Sequence, residues 1–529
     1  MANDTRVGAL GSQTRTALAS KVLRFLKHPQ LSGEVAQVRP SSDCSSFTIH
    51  LALPPPTSER GYDVLYATIH WLNNDILLNI FDYYRLDEEN GWNVRLGWCK
   101  LFHVCQRWRH LIYEFTFHLG MHIHCTHSTP IVDTLDHLPP LPLFIDYRYS
   151  RVTILTEQDE LGIYHALRLH DRVRHIDLDL PPSILHKCLV LLDGRFTILE
   201  HLSLWSTPEK ITTFTLPKAF LAPNLRRLDI PPISPLRRLR FLSSTISLVT
   251  LVFWGINAST FFTPRLLVAR LRSLSRLEEL SIDFLIPIPR PSTEGELLGG
   301  QGAPVTLPNL KTLRFKGVSA YLESLVAQIR VPLLERLGIT LFNQIAFALP
   351  HLFHLVNMTE GFKLPAARVH FDPDDVSITT AHHSSRWSAG RFFLRVKCKQ
   401  LDWQIDCAAQ ICSALIPALS NVKRFSLDMF RTMPTEWQNI DNDGEMWHEL
   451  LRSFIGAREL HIDGAFLEEL SRALHEVGSV PGFLPDLQYI VAANNPFASF
   501  IDTRRAMGRP VQFSPRPRQP QVQYTGRHP

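Results

Sequence analysis

One short phrase recurs along most of the chain. A segment of the form apolar-x-x-apolar-x-x-Leu-x-apolar returns, with some slack, at residues 173–180 (VRHIDLDL), 196–204 (FTILEHLSL), 222–230 (APNLRRLDI), 246–253 (ISLVTLVF), 274–282 (LSRLEELSI), 307–315 (LPNLKTLRF) and 331–339 (VPLLERLGI). With Ile176, Leu202, Leu228, Leu251, Leu280, Leu313 and Leu337 as register marks, the steps are 26, 26, 23, 29, 33 and 24 residues. The longest step contains the Pro/Gly-rich stretch 288–304, which reads as an insertion in one connecting loop. Fainter copies at 364–371, 391–396, 419–427, 456–462 and 484–490 carry the array to about residue 495.

A unit of this size holds one short strand ending in Leu-x-apolar and a return segment, and it cannot bury its apolar face alone. Neighbouring units must stack to share a core. The segments 183–192 and 266–274 have apolar residues at helical spacing and suit return helices. The expected fold class is therefore α/β, an open solenoid of strand and helix. Its strands present their variable slots on one wall, where Arg226, Arg227, Glu278, Glu279, Lys311, Glu335 and Arg336 form the candidate target-binding set. A solvated charged face is the other role open to each of them.

Stacking also explains a length of 529 residues, too great for one ordinary compact domain. Of the 55 Lys and Arg, six arginines fall between Arg504 and Pro529, where there is no acid, so the rest of the chain is close to neutral against 50 Asp and Glu. A near-neutral body lacks the concentrated basic footprint of a nucleic-acid reader. The eight cysteines show no paired framework. There is no apolar run of about 18 residues and no signal-peptide core at the start, so the expected location is cytoplasmic or nuclear, with no membrane partner. Residues 496–529, rich in Pro, Arg and Gln, are expected to be a disordered basic tail, and residues 1–60 an N-terminal extension that is partly disordered.

Residues 61–120 differ from the repeats. Asn73, Asn74 and Asp75 offer caps to a helix carrying Ile76, Leu77, Ile80, Phe81 and Tyr84 at helical spacing. Asp87 to Gly91 reads as a solvated loop, and a second helix from near Trp98 carries Leu101, Val104, Cys105, Trp108, Leu111 and Ile112 on one face. The text Leu72-Asn73-Asn74-Asp75-Ile76-Leu77-Leu78-Asn79-Ile80-Phe81, closed by Val104-Cys105-Gln106-Arg107-Trp108-Arg109, resembles an F-box, with Asn73 where the family has Pro. The array behind it resembles leucine-rich repeats, whose period is roughly 20–29 residues. Together they look like the F-box proteins of basidiomycete fungi that serve as substrate receptors of cullin-RING ubiquitin ligases.

The resemblance implies division of labour. The helical module at 61–120 would bind a Skp-type adaptor, and through it the cullin-RING ligase, by way of Leu72, Ile76, Leu77, Ile80, Phe81, Leu101, Val104, Cys105, Trp108 and Leu111. The repeats at 121–495 would hold a protein substrate. Internal packing of a small bundle is the other role for those apolar residues, and a ubiquitin-independent repeat scaffold is the alternative for the whole chain. No catalysis, cofactor or metal is expected. His122, His124, Cys125 and His127 crowd together but lack the spaced pairs of a four-ligand zinc site, and Gly299, Gly300 and Gly302 lack the Lys-Ser/Thr of a phosphate loop.

Overall fold

The structure, a computed structural model, describes residues 38–40, 47–49, 72–89, 101, 104–115, 122–127, 135, 140–148, 155–206, 216–231, 242, 244–258, 260–287, 304–342, 347–382, 390–429, 444–463, 466–477, 480 and 482–515. Gly299 to Gly302, the linker at 54–58 and residues 516–529 lie outside them. The protein is mixed α/β and divides into two compact units, Met1–Tyr147 with Leu155–Arg174, and Arg148–Ile154 with His175–Pro529. The first unit thus takes in stretches beyond residue 121 that the repeat pattern alone assigns to the array.

That unit contains an antiparallel pair, β1 (Val38–Pro40) and β2 (Phe47–Ile49), then helices α1 (Asn74–Glu89) and α2 (Gln106–Glu114). It continues with the parallel strands β3 (Ile123–Cys125) and β4 (Leu143–Arg148) and helix α3 (Glu157–Arg168). Helix α1 runs through Asp87, Glu88 and Glu89, which sequence reading places in a loop. Glutamate is a good helix former, and the turn-forming Asn90-Gly91 comes only afterwards. At its start the Asn73 side chain accepts a hydrogen bond from the Ile76 backbone N–H at 3.0 Å, so Asn73 acts as an N-cap. Helix α3 opens on a reciprocal capping box between Thr156 and Asp159.

The second unit is built on one large, mostly parallel sheet. Its strands are β5 (Val173–Asp179), β6 (His201–Trp205), β7 (Arg227–Ile230), β8 (Thr250–Ile256), β9 (Glu279–Phe284), β11 (Thr312–Gly317), β13 (Arg336–Leu341), β14 (Ala366–Asp372), β15 (Asp375–Ala381), β16 (Phe392–Lys397), β17 (Arg424–Met429), β18 (Glu459–Ile462), β19 (Tyr489–Ala492) and β20 (Gln512–Pro515). Two short strands, β10 (Val305–Thr306) and β12 (Ile329–Arg330), pair in parallel outside it. The connections carry α4 (Pro182–Leu191), α5 (Pro264–Leu271), α6 (Ser319–Ala327), α7 (Pro350–Met358), α8 (Leu401–Ala414), α9 (Ile416–Leu419), α10 (Gly444–Arg452), α11 (Leu467–Val477) and α12 (Ala498–Ala506).

The seven register marks meet residue for residue. Ile176 pairs with Leu202, Leu202 with Leu228, Leu228 with Leu251, Leu251 with Leu280, Leu280 with Leu313 and Leu313 with Leu337. All seven side chains are buried, so a file of aliphatic groups runs across the sheet beneath the return segments. Stacking is reinforced at equivalent positions of two repeats: Asn224 donates to the Thr197 carbonyl at 2.7 Å, and Asn309 to the Ser275 carbonyl at 2.8 Å. On the helical side, the Glu323 carboxylate of α6 accepts from the first backbone amides of α7, His351 and Leu352.

Past β13 the simple succession breaks. The segments at 364–371 and 391–396 do form strands, β14 and β16, but β13 pairs with β16, and β15 lies antiparallel between β16 and β14. Strand β14 then pairs in parallel with β17. The cause is local: Pro373 and Asp374 sit between the paired Asp372 and Asp375, a turn too tight for a helical crossover, so the chain must fold back as a hairpin. The array also outruns residue 495. Helix α12 and strand β20 add a further helix and strand, with β20 parallel to β19 and Phe497, Phe500, Ile501 and Val511 buried, so residues 498–515 are ordered structure and not tail.

Candidate protein-interaction face

The apolar residues of the helical module are mostly interior. Leu72, Leu77, Ile80, Phe81, Leu101, Trp108 and Leu111 are all buried, and Phe81 meets Trp108 edge-on at 4.8 Å between ring centroids. Ile76, Val104 and Cys105 are half-buried, and Tyr113 is exposed. Arg107 ties the two helices together, donating from Nη2 to the Leu72 carbonyl and to Asn74 Oδ1, each at 2.7 Å. Of the ten apolar residues that carry the resemblance, Ile76, Val104 and Cys105 thus keep the most surface open.

In the second unit the alternation of the strands turns every second residue away from the aliphatic file, onto an open face. Of the seven charged slots read from the sequence, Arg227, Glu279 and Arg336 lie on strands at such positions, whereas Arg226, Glu278, Lys311 and Glu335 sit one residue ahead, where each strand begins. There the backbone does structural work: the Glu278 carbonyl accepts from both Lys311 and Thr312 amides, and the Lys311 carbonyl from both Glu335 and Arg336. Deeper positions that spacing did not single out make up the rest of the face, among them Asp229, Asp283, Arg314, Lys316 and Trp205. Their signal is the x of Leu-x-apolar, read along every strand with a period of two.

Charges on this face alternate between strands. Arg314 pairs with Glu279 at 3.0 Å, Lys316 with Asp283 at 2.9 Å, Arg368 with Asp428 at 2.7 Å and Arg424 with Glu459 at 2.6 Å. Lys311 and Glu278 are 2.9 Å apart at the strand starts. Such partly exposed pairs add little stability each, about 0–1 kcal/mol, but they make the face a mosaic of both signs. A cavity of about 550 Å³ opens between β9, β11, β13 and β16, lined by Asp283, Arg314, Arg336, Arg391 and Phe393 and floored by Gly338. Arg336 is exposed and takes no part in an ion pair among the described residues.

Towards β5 the face changes character. Trp205 stacks on Trp254 at 4.5 Å with an 8° interplanar angle, and its Nε1 donates to Ser203 Oγ. His175 and His201 stack at 4.1 Å on neighbouring strands. Burial holds the His201 imidazole down to about 4, with Arg227 and Arg148 adding to the effect against Asp177. Burial pushes the Asp229 carboxyl up to about 6, against the pull of Arg227, and Asp177 pushes it further. In the first unit, His122 and His124 touch at 2.8 Å between their Nε2 atoms. Strand alternation turns Cys125 to the opposite face, where burial drives its thiol up to about 12.

Among the described residues no helix is long and apolar enough to cross a membrane. Comparison with protein-family models and with curated proteins finds no match to this chain.

Proposed function

We propose that the chain is a non-enzymatic substrate receptor of the cytoplasm or nucleus. Its F-box-like helical pair binds a Skp-type adaptor of a cullin-RING ubiquitin ligase, and its array, of the leucine-rich-repeat solenoid type, binds a protein target. The observation that carries this reading is the continuous open face, charged in both signs and studded with Trp205, Tyr489 and Phe393. Such a face suits a macromolecular partner, because aromatic anchors within a polar rim make protein interfaces. Its open, charged cavity is unlike the enclosed apolar pockets that hold small molecules.

Co-purification of the intact chain with a Skp-type adaptor tests the ligase half. Wild type is expected to capture adaptor, and the half-buried Ile76→Asp to reduce capture by about tenfold or more, a loss of roughly 1.4 kcal/mol at an interface. The buried Leu77 and Trp108 suit this test poorly, since their replacement would unfold the module. No capture by wild type overturns the ligase reading. The deep burial of Leu77, Ile80, Phe81, Trp108 and Leu111 then favours the second reading, a ubiquitin-independent repeat scaffold.

A further inference from the structure

We propose that His175, Asp177 and His201 bind a divalent first-row transition-metal ion of the Zn2+ class on the open face of the sheet. His175 and His201 are register partners on the parallel strands β5 and β6, and Asp177, two residues along β5, emerges on the same side. One ligating atom from each lies within 4.8 Å of the other two. Zinc with Zn–N of about 2.0–2.1 Å and Zn–O of about 2.0–2.2 Å holds neighbouring ligands about 3–3.5 Å apart, so side-chain rotations of about an ångström close the site while the β5–β6 ladder stays fixed.

Two imidazoles and one carboxylate form a donor set for zinc, cobalt, nickel or copper, whereas magnesium and calcium favour oxygen alone. Three protein ligands leave a fourth position for water or for a side chain of a docked partner. The surroundings carry a surplus of carboxylate. Asp177, Asp179 and Asp229 gather near Arg148 and Arg227, and Asp229 is buried with its Oδ1 accepting no hydrogen bond. Arg148 holds Asp177 Oδ2 at 2.7 Å, but its own side chain is 69% exposed and can swing aside. The site lies wholly within the second unit and needs neither the adaptor nor a target.

The test is calorimetric titration of the chelator-stripped full chain with Zn2+, alongside the visible absorption of Co2+ as a readout of coordination. Wild type is expected to show a saturable one-to-one site with a d–d spectrum and a Zn2+-dependent rise in melting temperature. His201→Ala and Asp177→Asn are each expected to weaken binding at least about tenfold and abolish the spectrum, with the control His370→Ala unchanged. Arg148→Ala is expected to tighten binding by removing the competitor for Asp177. Asp177→Asn keeps shape, so it decides the matter if His201→Ala misfolds, as far-UV circular dichroism would reveal. Absence of a saturable site in wild type, or wild-type affinity in Asp177→Asn, overturns the proposal.

Discussion

Asp229 shows how the open face is held at the level of single side chains. It is buried beside Arg227, whose Nη2 lies 3.7 Å from its Oδ2, a contact too long to offset the lost hydration. Its carboxyl is consequently pushed up from 3.8 to about 6. A carboxyl with a native pKa above its unfolded value favours the fold only while protonated. Its contribution is full below about pH 3.8, falls as the pH rises and is lost above about 6. Asp229→Asn, in chelator-containing buffer, is expected to raise stability at pH 7.5 by on the order of 1–3 kcal/mol, with the gain shrinking towards zero as the pH is lowered to 4. Urea midpoints across that range measure it; a gain independent of pH would show that charge is not the cause. Arg226, Glu278, Lys311 and Glu335 are legible in the sequence as charged slots. The burial of Asp177 and Asp229 is not, because it depends on side chains one or two strands away.

Elements are read from sequence as well as their apolar text allows. The seven strands, six centred on Leu and one on Ile176, are legible because a fixed phrase puts an aliphatic side chain at the same register in each, and the return helices α4 and α5 fall within three residues of their expected bounds. Helix α12 and strand β20 are hidden by composition. Their text, rich in Arg and Pro, reads as disorder, yet Arg504 is buried and donates to the Phe483 and Leu484 carbonyls at 3.0 and 2.9 Å. Leu484 stands there in the left-handed region with φ 40°, following Gly482 at φ 89°. An arginine counted as free charge is thus a clamp on a strained turn. A chain ending at 515 is expected to match the full length in urea midpoint. One ending at 495 loses the burial of Phe497, Phe500, Ile501 and Val511 and bares the edge of β19, so it is expected to be less stable by on the order of a few kcal/mol and to aggregate. Equal midpoints for both truncations would mean that the last helix and strand merely decorate the sheet.

At the scale of the whole second unit, the sheet sets the strand faces in one continuous surface, and the charges alternate so that no single sign dominates it. The helical module is less legible at this scale. The F-box-like text places two helices and an N-cap, but the apolar residues that make the resemblance are largely the ones the fold buries. The spacing of hydrophobic residues cannot separate a core from an interface, since both obey the same period.

The reversed order at β14–β16 also has a consequence in time. Along β5 to β13 each strand finds its partner 23 to 33 residues away, so the sheet can grow by short loop closures from any nucleus. Leu337, however, must wait for Phe392, 55 residues on, and the position is properly filled only after the hairpin has turned back. The added closure entropy is small, on the order of 0.7 kcal/mol, but it falls at this one junction and makes it a seam in the sheet. Amides of β5–β13 and of β14–β20 are therefore expected to exchange with deuterium as two cooperative groups with distinct opening free energies, and a single common opening would refute this. During synthesis, the strands up to β13 can assemble while their downstream neighbour is still inside the ribosome, with the β13 edge waiting bare for a strand that arrives two turns of chain later.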